Sequence, residues 1–311
     1  MSMNRTGRLI VSCTGVALVV AAAGIVMVGT RSGGGSGEEE RTATPFIPAG
    51  QIGGGSENVA AGPVPIPDLR SPAPGPIVDS SIVESLVLQA GETYYGKGEA
   101  FFKDGDFTSA TRYLKAEVGQ HPDRFYPSYL LGIALWKDGK LDEAAAALTS
   151  AAALDTRSVK ARVNLGRVLN DAGRFEEALQ SLDEAVALGP ADSPAHNVRG
   201  RALLNLGRKD EAIEAFTTAI ERDPANAHAL NNLGYALIRA GRFADAVPYL
   251  EEAVRLRPAA GYFQNNLGMA YERTGLADQA VGAYRAAVEA GGSEAARRNL
   301  FRLEGTIEGG K

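Results

Sequence analysis

Six glycines stand 34 residues apart, at Gly98, Gly132, Gly166, Gly200, Gly234 and Gly268. Six alanines keep the same step, at Ala110, Ala144, Ala178, Ala212, Ala246 and Ala280, and a second glycine series runs in phase from Gly105 to Gly275. Self-similarity at one fixed period points to stacked supersecondary units, each burying its apolar face only against its neighbours, rather than to one globular core. It also directs the functional question to an extended surface and away from a catalytic pocket.

We number the repeats from Gly91, Phe125, Val159, Ser193, Ala227 and Gly261, which puts the first glycine at position 8 and the alanine at position 20. Position 24 is large in every copy: Leu114, Leu148, Leu182, Phe216, Leu250 and Tyr284. Position 27 is alanine from Ala151 onward and Glu117 in the first copy. Position 32 is Pro122, Pro190, Pro224 and Pro258, with Thr156 and Gly292 as exceptions.

A glycine inside a helix costs about 1 kcal/mol relative to alanine, so six of them need a reason. Small residues at 8 and 20 let the two helices of a hairpin approach closely, with larger side chains at 7, 11 and 24 filling the flanks. The glycine at 15 suits the residue after a helix, which often takes positive φ. Proline at 32 stops the second helix. Each unit therefore reads as helix, turn, helix, over 91–124, 125–158, 159–192, 193–226, 227–260 and 261–294. Pro248 falls in the first turns of its helix, where a missing donor is tolerated.

This pattern resembles the tetratricopeptide repeat, and the resemblance covers about two thirds of the chain. Position 4, often Trp in that family, is Tyr94, Ser128, Arg162, His196, Leu230 and Gln264 here. The resemblance implies an all-α fold, a right-handed superhelical α-solenoid of helix-turn-helix repeats whose inner surface comes from the first helix of each repeat. Positions 2, 5, 6, 9, 12 and 13 then line a peptide-binding groove. The candidate residues are Tyr95, Tyr129, Trp136, Asn164, Arg167, Asn197, Arg201, Asn231, Asn232, Tyr235, Arg239, Asn265, Asn266 and Arg273. Asparagine offers a donor and an acceptor side by side to a peptide backbone. Aromatic and Arg side chains are the usual anchors of interfaces. The basic residues favour an acidic partner and speed its encounter. Family members that grip a terminal carboxylate use Lys at position 5 and Asn at position 9; neither occurs in any repeat here, so that clamp is not expected.

The ends should cap the stack. Ser81 and Glu84 fit a capping box ahead of Leu86, Val87 and Leu88, which predicts a helix over 80–90. Ala295, Ala296, Asn299, Leu300 and Leu303 predict an amphipathic helix over 295–304, followed by a fraying tail at 305–311.

Before the repeats, residues 9–29 carry no charge, with Arg5 and Arg8 ahead of them and Arg31 behind. At about 1.5 Å per residue, a helix of that length spans a bilayer core of roughly 30 Å. The flanking cations place the N-terminus, residues 1–8, in the cytoplasm and the rest outside. Ala21-Ala22-Ala23 also resembles a cleavage site, so a cleaved signal peptide and a secreted product are the alternative. The four residues before Cys13 are too few for a lipoprotein apolar region. Residues 30–79 are rich in Gly and Pro, which predicts a disordered linker reaching roughly 35–40 Å on average.

The net charge of −5 argues against a nucleic-acid binder. There is one cysteine, Cys13, so the repeats carry no thiol chemistry. No metalloprotease helix, phosphate loop or nucleophile elbow is present, and no cofactor or metal is implied. His121, His196 and His228 read as surface or packing residues. The expectation is a membrane-tethered, non-enzymatic scaffold whose groove binds protein or peptide partners outside the cytoplasm. The alternatives are a self-associating homo-oligomer and an accessory subunit of an envelope enzyme complex.

Overall fold

Helical turns that close on a left-handed glycine organise nearly everything the structure shows. The computed structural model describes residues 19–21, 24–26, 86, 88–89, 92–291 and 294–309. The chain divides into two units, Met1–Ala43 and Thr44–Lys311.

In the first unit, β1 (Val19–Ala21) and β2 (Gly24–Val26) pair antiparallel, with Val19 opposite Val26 and Val20 opposite Ile25. These β-branched residues suit a pleated backbone. The continuous helix expected over 9–29 is therefore not present at these six positions. The rest of that stretch, and the linker expected over 30–79, lie outside the described residues. No helix among the described residues is long and apolar enough to cross a membrane.

In the second unit, the regular elements among the described residues are all helices. The first helices of the six pairs are α1 (Tyr94–Lys103), α3 (Phe125–Lys137), α5 (Val159–Asp171), α7 (Ser193–Asn205), α9 (Ala227–Arg239) and α11 (Gly261–Arg273). Their partners are α2 (Phe107–Gln120), α4 (Leu141–Leu154), α6 (Phe175–Leu188), α8 (Lys209–Arg222), α10 (Phe243–Leu256) and α12 (Ala277–Glu289), and α13 (Glu294–Gly309) closes the series.

Position 15 ends each first helix as its chemistry requires. Gly105, Gly139, Gly173, Gly207, Gly241 and Gly275 all have φ between +75° and +81°. The next N–H then folds back onto the position-11 carbonyl, as in Arg174 to Leu169 at 2.8 Å, which satisfies an acceptor left over at the helix end.

Position 8 works differently from the sequence expectation. The space a side chain would need at each glycine is filled by the position-24 residue of the same repeat: Leu114 over Gly98, Phe216 over Gly200, Tyr284 over Gly268. The glycine thus makes a socket for a large side chain, and the position-20 alanine is not the group that occupies it. That alanine, and the alanine at position 27, are fully buried wherever they occur. Glu117, at position 27 of the first repeat, is buried as well and is held by Arg124 at 2.9 Å.

Proline at position 32 is not what fixes the end of the second helix. The helix followed by Thr156 stops at the same repeat position as the helices followed by proline. At position 34, two residues beyond position 32, the Ser158, Asp192 and Asn226 side chains accept from Ala161, Ala195 and Ala229 and start the first helix of the next repeat. Pro248 lies inside α10 near its start, and the helix continues through it.

Both ends differ from expectation. Residues 86, 88 and 89 are not helical, so the capping helix expected over 80–90 is not formed there; Thr93 caps α1 instead, and Leu86 is buried. Ser81 and Glu84 lie outside the described residues. At the other end, α13 runs to Gly309, beyond the expected stop at 304, with Ala296 and Leu303 buried.

Each second helix packs on the first helix of the next pair. First helices of neighbouring pairs also touch one another, whereas neighbouring second helices do not come as close. A stack drawn tighter on one side bends toward that side, so the first helices line its inner face.

Candidate binding face

On that inner face, positions 5 and 6 are spent on the stack itself. Asn232 Nδ2 donates to Asn197 Oδ1 at 2.9 Å, and Asn266 Nδ2 donates to Asn231 Oδ1 at 2.9 Å. Asn164 donates to the Tyr129 hydroxyl, and Asn299 of α13 donates to Asn265 at 3.1 Å. Within the repeats, position 6 of one thus pairs with position 5 of the one before, whereas Asn299 of α13 reaches Asn265 at a separation of 34 residues. Two steps carry no amide, Tyr95 with Leu130 and Val163 with Val198, and both valines are buried in the main apolar cluster. The amides expected to face a peptide backbone are therefore engaged between helices: Asn164, Asn197, Asn231, Asn232 and Asn266 are all buried, and Asn265 is half-buried. Tyr95 is half-buried, and its backbone N–H donates to Glu117.

Positions 9, 12 and 13 carry the charge. Asp171, at the end of α5, accepts from Trp136 Nε1 of α3 at 2.9 Å and from Arg201 Nη2 of α7 at 3.2 Å. One carboxylate so joins three successive first helices. Arg201 Nε is buried with no hydrogen-bond partner. Arg167, one repeat earlier at the same position, donates to Asn164 Oδ1 at 2.9 Å, and no carboxylate among the described residues pairs with it. Burial, and then the neighbouring Arg201 guanidinium, push the Arg167 pKa down. Toward the far end, Tyr235 is buried beneath Arg239, whose guanidinium lies 5.9 Å from the ring centroid. Arg239 and Arg273 are exposed, and Arg273 lies 4.3 Å from the Phe243 ring centroid.

Three contributors to this face were not among the sequence candidates: Asp171, His228 and Tyr262. His228 and Tyr262 both stand at position 2, one repeat apart, and His228 Nδ1 meets the Tyr262 hydroxyl at 2.8 Å. Arg257 Nη1 donates to His228 Nε2 at 3.2 Å, so the neutral ring carries its proton on Nδ1. Burial, reinforced by Arg257, lowers the His228 pKa from 6.5 to about 4. Burial raises that of Tyr262 to about 12. The available signal was the recurrence of aromatic rings at position 2, which also include the exposed Tyr126.

A family profile for the tetratricopeptide repeat matches residues 129–193, 197–258 and 234–295, more than half of the chain. The chain belongs to the tetratricopeptide repeat family. No curated protein matches it. Among solved structures, PilF of Pseudomonas aeruginosa is similar at 20% identity and a TM-score of 0.54, over 59% of this chain and 84% of that one. A chain of the APC/C hetero-tetramer Cut9-Hcn1 is similar at 19% identity and a TM-score of 0.60, over 72% of this chain and 45% of that one. MamA of Desulfovibrio magneticus RS-1 gives 25% identity and a TM-score of 0.49, over 53% of this chain and 94% of that one. The first two likenesses concern the fold.

Proposed function

We propose that this tetratricopeptide chain is a non-enzymatic interaction scaffold that holds a segment of a protein partner along the face of its first helices, outside the cytoplasm. One observation carries the reading: first helices draw together across the whole stack, and the face they line presents Arg167, Arg201, Arg239 and Arg273 on a protein of net negative charge. Cations gathered on one face of an acidic molecule attract and orient an acidic segment. Because the asparagines are engaged in the stack, recognition falls to positions 9, 12 and 13 instead.

Site-specific photo-crosslinking tests this. A crosslinker replacing Ile238 or Met269, both on inner-face positions, is expected to trap a partner in cells expressing the full chain. The same group at Glu214, exposed on α8, is expected to trap none. Equal trapping from both sides, or trapping from α8 alone, would overturn the reading.

A further inference from the structure

The charges of the inner face do not balance where they are most buried. Arg167 and Arg201 lie within electrostatic reach of each other, and Arg257 and His228 face the same region. Two carboxylates face it as well, and both are engaged: Asp171 by Trp136 and Arg201, Asp192 by the Ala195 N–H that it caps. No carboxylate among the described residues pairs with Arg167, whose contact is the neutral Asn164 oxygen. Arg201 keeps a buried Nε donor without an acceptor. A guanidinium withdrawn from water and not neutralised is costly, as is a buried donor left open. The ligand-free protein keeps both within one patch.

We infer that Arg167 and Arg201 form a single anion seat on the inner face of α5 and α7, which takes a compact oxyanion, a carboxylate or a phosphate, carried by the partner segment. The inference rests on the groove reading above and deepens it by naming the group that is gripped. A guanidinium fork matches two oxygens at once, and such charge-assisted bonds are about twice as strong as neutral ones. His228 and Tyr262 lie within electrostatic reach of the seat, and the neutral His228 ring adds no further cation to it. The arrangement is unlike the Lys and Asn clamp that the sequence lacks.

The test uses the full chain at fixed pH and ionic strength. Chloride is replaced stepwise by inorganic phosphate or by succinate, and both the thermal midpoint and the titration heat are followed. Wild type is expected to bind at least one of the two anions and to gain midpoint by mass action. Arg167→Met is expected to weaken that binding at least about tenfold while its midpoint in chloride stays at or above wild type, since an uncompensated buried charge is gone. A structural role alone would lower that midpoint. Arg222→Met, which removes an exposed cation at the end of α8 and off the inner face, is expected to respond like wild type. Response to phosphate alone identifies a phosphoryl ligand, and response to succinate a carboxylate. A wild type indifferent to both anions, or an Arg167→Lys variant that binds them unchanged, overturns the seat; neither measurement depends on Arg167→Met folding. Crosslinking from Ile238 and Met269 does not require either arginine. Loss of the anion response with crosslinks intact therefore sinks the seat alone, and the reverse result sinks the groove alone.

Discussion

Single residues carry opposite consequences depending on what faces them, and the glycines show it most sharply. A methyl group added at Gly200 would stand 2.6 Å from Phe216 Cε1 and 2.7 Å from Cδ1, in a ring that is completely buried. At Gly282, in α12, nothing lies within 4 Å. Both substitutions to alanine gain about 1 kcal/mol of helix propensity. Only Gly200→Ala must also move a packed ring, at a cost of typically 1–3 kcal/mol for overpacking. We expect Gly282→Ala to raise the unfolding midpoint and Gly200→Ala to lower it, each measured by denaturant titration of the full chain; the same sign for both would contradict the socket. The 34-residue period made every one of the position-8 glycines legible. Its partner was not, because periodicity shows that two positions are small without showing which side chain fills the space between helices. The position-15 glycines were legible with their reason, since a left-handed turn is a local requirement.

Between elements, stacking is stitched by side-chain amides whose pairing rule runs across repeats. The asparagines were visible in the sequence, and the family resemblance pointed them outward; their burial decides otherwise, because an amide held between two helices meets its complement there. The chain contains its own control in Val163 and Val198, an apolar step in the same two positions. Asn232→Val is expected to cost about 1–3 kcal/mol by leaving the Asn197 oxygen buried without a donor. Asn197→Val with Asn232→Val should recover the part of that loss due to the Asn197 oxygen, leaving only the long 3.4 Å bond from Asn231 Nδ2 to the Asn232 oxygen unreplaced. A double-mutant cycle in denaturant reads the coupling directly; additive losses would mean that the amides do not act as a pair. The same logic explains why Asp171, at a lining position, was not among the candidate site residues. A lone acid among basic neighbours carries no sequence signal until Trp136 and Arg201, one repeat away on either side, are seen to converge on it.

At the scale of the whole chain, one expectation lies before the repeats, in the charge-free stretch of residues 9–29. We propose that this stretch anchors the chain in a membrane and keeps the repeats on the far side from Arg5 and Arg8. A two-stranded ribbon such as β1 and β2 leaves backbone groups unpaired along its outer edges, and hydrocarbon does not satisfy them. Insertion therefore requires these residues to be helical in the bilayer, where every backbone bond closes within the segment. An Arg near the middle of such a helix costs about 2.5–3.5 kcal/mol, so two of them abolish most of the driving force. The full chain is expected to remain with membranes through an alkaline carbonate wash, and Val20→Arg with Ile25→Arg to release it into the supernatant. Mass spectrometry of the membrane-bound protein should return an intact N-terminus. Wild-type protein found in the supernatant, or one whose sequence begins after Ala23, would replace the anchor with a cleaved leader; the inner face would then have to find its partner by diffusion, at the encounter rates its cations set.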